Sequence, residues 1–339
     1  LNILIHGLAE PGDHIIVSAR AHNSVLRPLN ELAERGLITL TCLETNAAGR
    51  VPPRAFAGAL RDNTRGVFVN YASNVTGTVL DLEDIRRNVP ETLLVVDASQ
   101  AAGIVDIDLG RIDADALVFT GHKYLYGLQG TGGMYLRRGL DLEPLMTGGT
   151  GAMSDLRLHP RQRPFVHEAG TPNAPGYAAL AAGIRFIRET GLTAIQDRTG
   201  GSIRRLLSGL SAIPGVRVIT DEESREGGDS GPGGGISGGG TSGGGDGDRG
   251  PGKGSGAGNT RTPVVSFLVE GLPPDEAGYI LEESFDIKVR SGLHCAPLIH
   301  RYLGTENGGT VRASLSYFTT EDEIDRLLEA VRIIAERCG

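Results

Sequence analysis

Apolar, β-branched runs recur through the first half of the chain, at residues 14–19, 66–73, 93–99, 116–121 and 132–138. Helical or loop-like stretches separate several of them, and this alternation predicts a largely parallel, doubly wound sheet. Between the first two runs Val25, Leu29 and Leu32 repeat at helical spacing, with Gly36 where a C-terminal cap would stand. That helix should lie on the sheet.

After Gly170-Thr171-Pro172-Asn173 the pattern turns helical, with Ile184, Ile187 and Leu192 in one helix and Ile203, Leu206, Leu207 and Leu210 in the next. Strand-like stretches follow at 263–269 and 310–316. A last helix starts at Thr320, whose Thr-Glu-Asp-Glu sequence is a capping box, and it buries Ile324, Leu327, Leu328 and Val331. The expected fold class is therefore α/β: a large domain over residues 1–185 and a smaller C-terminal α/β domain over 186–339. Residues 227–258 are dominated by glycine, with Ser, Asp and Pro. Such a segment has too few apolar side chains to offset about 1–2 kcal/mol per residue of backbone ordering entropy, so a disordered insert is expected there.

The 339 residues, 39% of them apolar, suffice for a real core, and a net charge of −8 without basic clusters argues against nucleic acid or anionic lipid as partners. Small molecules or proteins are the expected partners. No apolar run approaches the roughly 20 residues needed to span a bilayer. Three widely spaced cysteines, 42, 295 and 338, make neither a disulfide framework nor a metal cluster, so a reducing cytoplasm is the expected setting. The opening at Leu1, directly in a helix-like pattern, reads as a start inside a fold.

Several strand ends carry candidate chemistry. Lys123, in Gly121-His122-Lys123, follows a buried run; a shielded lysine there can have a lowered pKa and form a Schiff base with an aldehyde cofactor, although a lone lysine is commonly a solvated charge. Asp97 ends the run before it, as a partner for a pyridine nitrogen or simply as an acidic turn cap. Asn74 to Gly77 follow a third strand. His22 could stack on a flat ring. Arg312 alternates against Val311, Ala313 and Leu315, so it is either a solvated strand arginine or a bidentate clamp on a carboxylate. Cys295 has Gly292 for backbone freedom and Arg290 and His294 as nearby cations, the setting of a thiolate on a flexible loop; lone cysteines are more commonly small buried hydrophobes. Cys42 and Cys338 lack such surroundings.

In order and spacing, His22-Asn23-Ser24, Asn74 with Gly77, Asp97-Ala98-Ser99-Gln100, Gly121-His122-Lys123, Gly170-Thr171-Pro172-Asn173, Arg290 to Cys295 and Gly309-Thr310-Val311-Arg312 resemble the cysteine desulfurases of the class V aminotransferase family. These are fold type I enzymes of pyridoxal 5'-phosphate. The resemblance implies Lys123 as the Schiff-base lysine, Asp97 as partner of the pyridine nitrogen and His22 as the ring-stacking residue. It gives Asn74 and Gln100 hydrogen bonds to the substrate-cofactor adduct and the phenolic oxygen. Thr120 and His122 would hold the phosphate, Thr171 would reach the phosphate of a neighbouring subunit in a homodimer, Arg312 with Arg290 would bind substrate, and Cys295 would accept sulfur. The implied substrate is L-cysteine, with a sulfur-acceptor protein and iron–sulfur cluster assembly beyond it. The loop around Cys295 is similar to the Suf and selenocysteine lyase type, so selenocysteine lyase or another class V activity is the alternative. Family members also carry a Gly- and Thr-containing phosphate loop before the position of Leu1. A non-catalytic chain that kept the fold is a further alternative.

Overall fold

The computed structural model describes residues 1–219 and 261–338, and the expected insert at 227–258 lies outside them. All five apolar runs of the first half are strands: β1 (Asp13–Ser18), β3 (Thr64–Asn70), β4 (Leu93–Asp97), β5 (Ala116–Thr120) and β6 (Gly132–Leu136). They join β2 (Ile38–Leu43) in one sheet of order β2-β1-β3-β4-β5-β6, parallel throughout except for β6 against β5. Strand β2 escapes the apolar pattern because it is an edge strand, with only Ile38 buried.

Period-two alternation distributes the strand side chains to two cores. Ile15, Val17, Phe68, Val95 and Val118 pack under α1 (Asn2–Leu8) and α2 (Asn23–Glu34). Ile16, Val67, Val69, Leu94, Val96 and Leu117 point the other way, against Phe56 of α3 (Pro53–Gly58), Leu82 and Ile85 of α4 (Leu82–Asn88) and Ile195 of α7 (Leu192–Ser211). Helices thus cover both faces, as a doubly wound sheet requires. Gly36 closes α2 at φ +70°, with its amide on the Ala33 carbonyl at 2.9 Å.

A second, antiparallel sheet has the order β7-β8-β10-β9, from β7 (Val216–Ile219), β8 (Val264–Val269), β9 (Arg290–Gly292) and β10 (Thr310–Ser314). Its core gathers Val265, Phe267, Val311 and Ala313 with Ile203, Leu206 and Leu210 of α7, Leu281 of α8 (Pro274–Phe285) and Ile324, Leu327 and Val331 of α10 (Glu321–Cys338). The capping box forms at α10: the Glu323 amide donates to Thr320 Oγ1 at 3.2 Å and the Thr320 amide to Glu323 Oε2 at 2.8 Å. Residue 186 lies within α6 (Ala174–Thr190), and α7 contributes to both cores. Phe267 is fully buried. Phe267→Ala should cost about 3–5 kcal/mol of stability, read as a lower denaturant midpoint.

The loop after β3 stitches the two sheets together. Ser266 Oγ donates to the Val75 carbonyl at 2.7 Å, the Thr262 amide to the Gly77 carbonyl at 2.8 Å, and Arg312 Nη1 to the Asn74 carbonyl at 2.9 Å. Gly77 is required there: its φ is +77°, and a Cβ would stand 2.9 Å from the Val264 carbonyl oxygen. The carboxyl ends of β3, β4 and β5 therefore open toward β9 and β10, which places the site between the two sheets.

Candidate active site

Asn70 and Asp97 are register partners at the carboxyl ends of β3 and β4, and Thr120 ends β5 next door. A cavity of about 320 Å³ opens on this edge, lined by His22, Asn74, Asp97, Gln100, Thr120, His122 and Lys123 from the first sheet's side and by Arg290, His294 and Arg312 from the second. Nine of the eleven sequence-derived site residues thus converge. Cys295 lines an adjoining cavity of about 830 Å³ that shares His22, Ser24 and Ser99 with the first. Thr171 is exposed, between a short 3-10 turn and α6, and lines neither cavity.

Asp97 is buried, and its Oδ1 accepts the Ser99 amide at 2.9 Å. Desolvation lowers the Lys123 pKa; Asp97 opposes this, while Arg312 and Arg290 push it further down. An amine so placed is free to attack an aldehyde at a lower pH than a solvated lysine. His22 caps α2, its Nδ1 accepting the Ser24 amide at 3.1 Å, and burial lowers its pKa as the largest effect. Thr120 Oγ1 and His122 Nδ1 are 2.8 Å apart.

Strand alternation turns Val311, Ala313 and Leu315 into the second core and leaves Arg312 to the cavity. Arg290 is its register partner on β9. Like charges directly opposite one another destabilise a strand pair, so the arrangement makes sense as an anion clamp. Among the cavity-lining residues Asp97 is the sole carboxylate against Lys123, Arg290 and Arg312.

One expectation about the Cys295 loop is corrected. His294 is not a cation: it is 2% exposed, and burial, then Arg312, His300 and Arg290, pull its pKa down to about 3. The segment is also tied to its surroundings by hydrogen bonds. The Cys295 carbonyl accepts the Asn23 amide at 2.7 Å, the His294 carbonyl accepts Asn74 Nδ2 at 2.6 Å, and Arg290 Nη2 lies 3.2 Å from Cys295 Sγ. These bonds hold His294 and Cys295 at φ +50° and +58°, a left-handed conformation that costs non-glycine residues about 1–3 kcal/mol each. Beneath them, a Cβ on Gly309 would stand 2.1 Å from the Gly292 carbonyl oxygen, so glycine lets β10 approach the loop.

A pH signature follows from His294. Its folded pKa of about 3 lies below the ordinary 6.5, so the unfolded chain binds a proton that the folded one does not. Stability from this residue is complete above the ordinary value and is lost as pH falls toward 3, at up to about 1.4 kcal/mol per pH unit. Denaturant titrations of wild type and His294→Gln should differ by a constant above neutrality and converge on acidification.

Sequence reasoning passed over Asn70 and Ser99 as site residues. Asn70 stands where the buried run Val67-Phe68-Val69 gives way to a polar residue, and its Nδ2 donates to the Arg20 carbonyl at 3.1 Å. Both line the cavity.

Comparison with known proteins places this geometry. The chain matches the family described as Aminotransferase class-V over residues 1–228 and 254–327. It belongs to that family. A probable cysteine desulfurase of Methanothermobacter thermautotrophicus is 31% identical, with 99% of this chain and 76% of that protein covered. A cysteine desulfurase of Dickeya dadantii is 28% identical over 97% of this chain and 72% of its own. Among solved structures, the apo cysteine desulfurase of Thermococcus onnurineus NA1 superposes with a TM-score of 0.81 at 28% identity, covering 99% of this chain and 76% of that one.

Class-V aminotransferases work with pyridoxal phosphate, and the cavity of this member fits that group. It offers a partly buried amine for an aldehyde, a buried carboxylate for a ring nitrogen, and an excess of positive charge for a phosphate and a substrate carboxylate. Among the described residues no His, Cys, Asp and Glu gather into a metal site, and no helix is long and apolar enough to cross a membrane.

Proposed function

We propose that the chain is a cysteine desulfurase that moves the sulfur of L-cysteine onto Cys295 and releases L-alanine. The observation that carries this reading is the place of Cys295: its Sγ is 3.2 Å from Arg290 Nη2, and Arg290 itself lines the cavity that holds Lys123, Asp97 and Arg312.

Bound pyridoxal phosphate supplies an aldehyde and a ring that draws electrons from the substrate's Cα. The chain's own residues do the rest. Lys123 would hold the aldehyde, and its Nζ would take the Cα proton of the substrate. Asp97 would keep a proton on the ring nitrogen, His22 would stack on the ring, and Gln100 would bond the phenolic oxygen. Thr120 and His122 would hold the phosphate. Arg312, with Arg290 beside it, holds the substrate carboxylate. Asn74 spends Nδ2 on the His294 carbonyl, which leaves its Oδ1 for the ligand.

The Cys295 thiolate attacks the substrate sulfur. An S–S bond forms as the substrate's Cβ–S bond breaks, and the Cβ carbon takes a proton, so that cysteine plus a protein thiol become alanine plus a protein persulfide. In the wider reading the protein is a cytoplasmic homodimer in which Thr171 reaches the neighbouring subunit's phosphate. An acceptor protein then collects the sulfur for iron–sulfur cluster assembly.

The test supplies purified protein with pyridoxal phosphate, L-cysteine and a thiol reductant. Alanine and sulfide in equal amounts are expected. Protein that carries the cofactor yet forms no alanine would defeat the reading, and faster turnover of selenocysteine, with selenide released by the reductant, would reassign the substrate.

A further inference from the structure

A buried polar network underlies the Cys295 loop. His294 Nε2 lies 2.9 Å from Thr310 Oγ1 on β10, and Thr310 is fully buried. His300, on α9 (Pro297–Tyr302), is also fully buried; its Nδ1 lies 2.7 Å from Thr305 Oγ1 and its Nε2 3.2 Å from the Leu293 carbonyl. The two imidazole rings are 5.9 Å apart. Side chains on both flanks thus fasten successive residues of the loop, Leu293 and His294, immediately before the sulfur.

The attachment to β10 matters because β10 also carries Arg312, two residues from Thr310 on the same strand. Residues 310 and 312 share a strand face, so the hydroxyl that holds the loop and the guanidinium that faces the cavity are set by one rigid element. The His294–Thr310 contact therefore fixes where the sulfur stands relative to the substrate clamp. The left-handed backbone at His294 and Cys295 would relax elsewhere if released.

We infer that His294, through Thr310, is a positioning residue for sulfur transfer: a strut that holds Cys295 Sγ in register with Arg312. The inference takes Cys295 as the sulfur acceptor and so deepens the function proposed above. It assigns His294 no proton transfer. The charged and titratable groups around it are Arg290 on β9, Arg312 on β10 and His300 on α9, and none of them supplies a counter-charge that would favour its imidazolium.

The experiment compares wild type, Thr310→Val, Thr310→Ser and His294→Gln. Hydrogen exchange of the peptide covering residues 290–298 is measured on protein without cysteine, with peptides from β1 and α10 as internal controls. Thr310→Val should exchange about tenfold faster in that peptide, the scale of one lost hydrogen bond, and leave the controls unchanged. Its persulfide formation at saturating cysteine should slow by a similar factor, while KM for cysteine and the visible absorbance of bound cofactor stay at wild-type values. Thr310→Ser, which keeps the hydroxyl, should restore both, and His294→Gln should keep the wild-type shape of the pH–rate profile.

Wild-type loop exchange in Thr310→Val, or a Thr310→Ser variant as impaired as Thr310→Val, would overturn the inference. A pH–rate profile displaced in His294→Gln would make the residue an acid–base group and overturn it too. Loop exchange that responds as expected in a protein making no alanine would uphold the strut and condemn the proposed activity, so the two failures are distinguishable.

Discussion

Replacing Lys123 by alanine should abolish covalent capture of pyridoxal phosphate and cut alanine production by at least about 10³-fold, the scale of losing a general acid–base group that also holds the cofactor. Burial lowers the Lys123 pKa, and Arg312 and Arg290 add to the effect, so this amine is the one the cavity prepares to react with an aldehyde. Lys288, by contrast, is paired 3.5 Å from Asp286 with most of its side chain in water. Borohydride reduction followed by intact-protein mass measurement checks the point. Wild type should gain one cofactor mass on the peptide containing Lys123, and Lys123→Ala should gain none. An adduct of equal yield on another lysine would remove Lys123 from the reaction.

Cys295→Ala should separate the two halves of the chemistry. Cofactor capture by Lys123 should be unchanged, because Cys295 lines the adjoining cavity and not the one that holds Asp97 and Lys123. Persulfide on the protein should vanish, and alanine formation should fall by at least about 10²-fold, since a nucleophile that splits one difficult step into two is gone. Cys42 and Cys338 are retained in this variant. Cys42 stands on the exposed edge strand β2 and Cys338 at the far end of α10, and neither lines either cavity. Full-rate alanine release from Cys295→Ala would mean that the substrate sulfur leaves by another route.

Particular residues show how far local pattern reaches. The five apolar runs became five strands because a strand buried on both faces is written as a continuous apolar stretch, while β2, half exposed at the edge, has no such signature. The capping box at Thr320 was legible because its partners lie three residues apart. Lys123, Asp97 and Asn74 were legible as polar residues at strand ends, where an open sheet leaves its binding edge. Asn70 ends its strand in the same way.

His294 was misjudged because charge is not a local property. Beside Arg290 in sequence it reads as a second cation; in the fold, β10 and α9 close over it, and the loss of water leaves it neutral. The hydrogen bonds of the Cys295 loop lay beyond local pattern for a related reason. Gly292 suggests freedom, while the groups that bond the loop, Asn23, Asn74 and His300, come from α2, the turn after β3 and α9.

The sequence by itself determined the doubly wound first sheet, the helical turn of the pattern after Asn173 and the candidate side chains that converge on one cavity, because periodicity and strand-end chemistry are written within a few residues of each other. Only the tertiary structure decided that Arg290 and Arg312 face one another, that His294 carries no charge and that Cys295 stands pinned beside the cavity. Each of these depends on which distant segment displaces water from which group, and desolvation is set by the packed surroundings and not by neighbours in the chain.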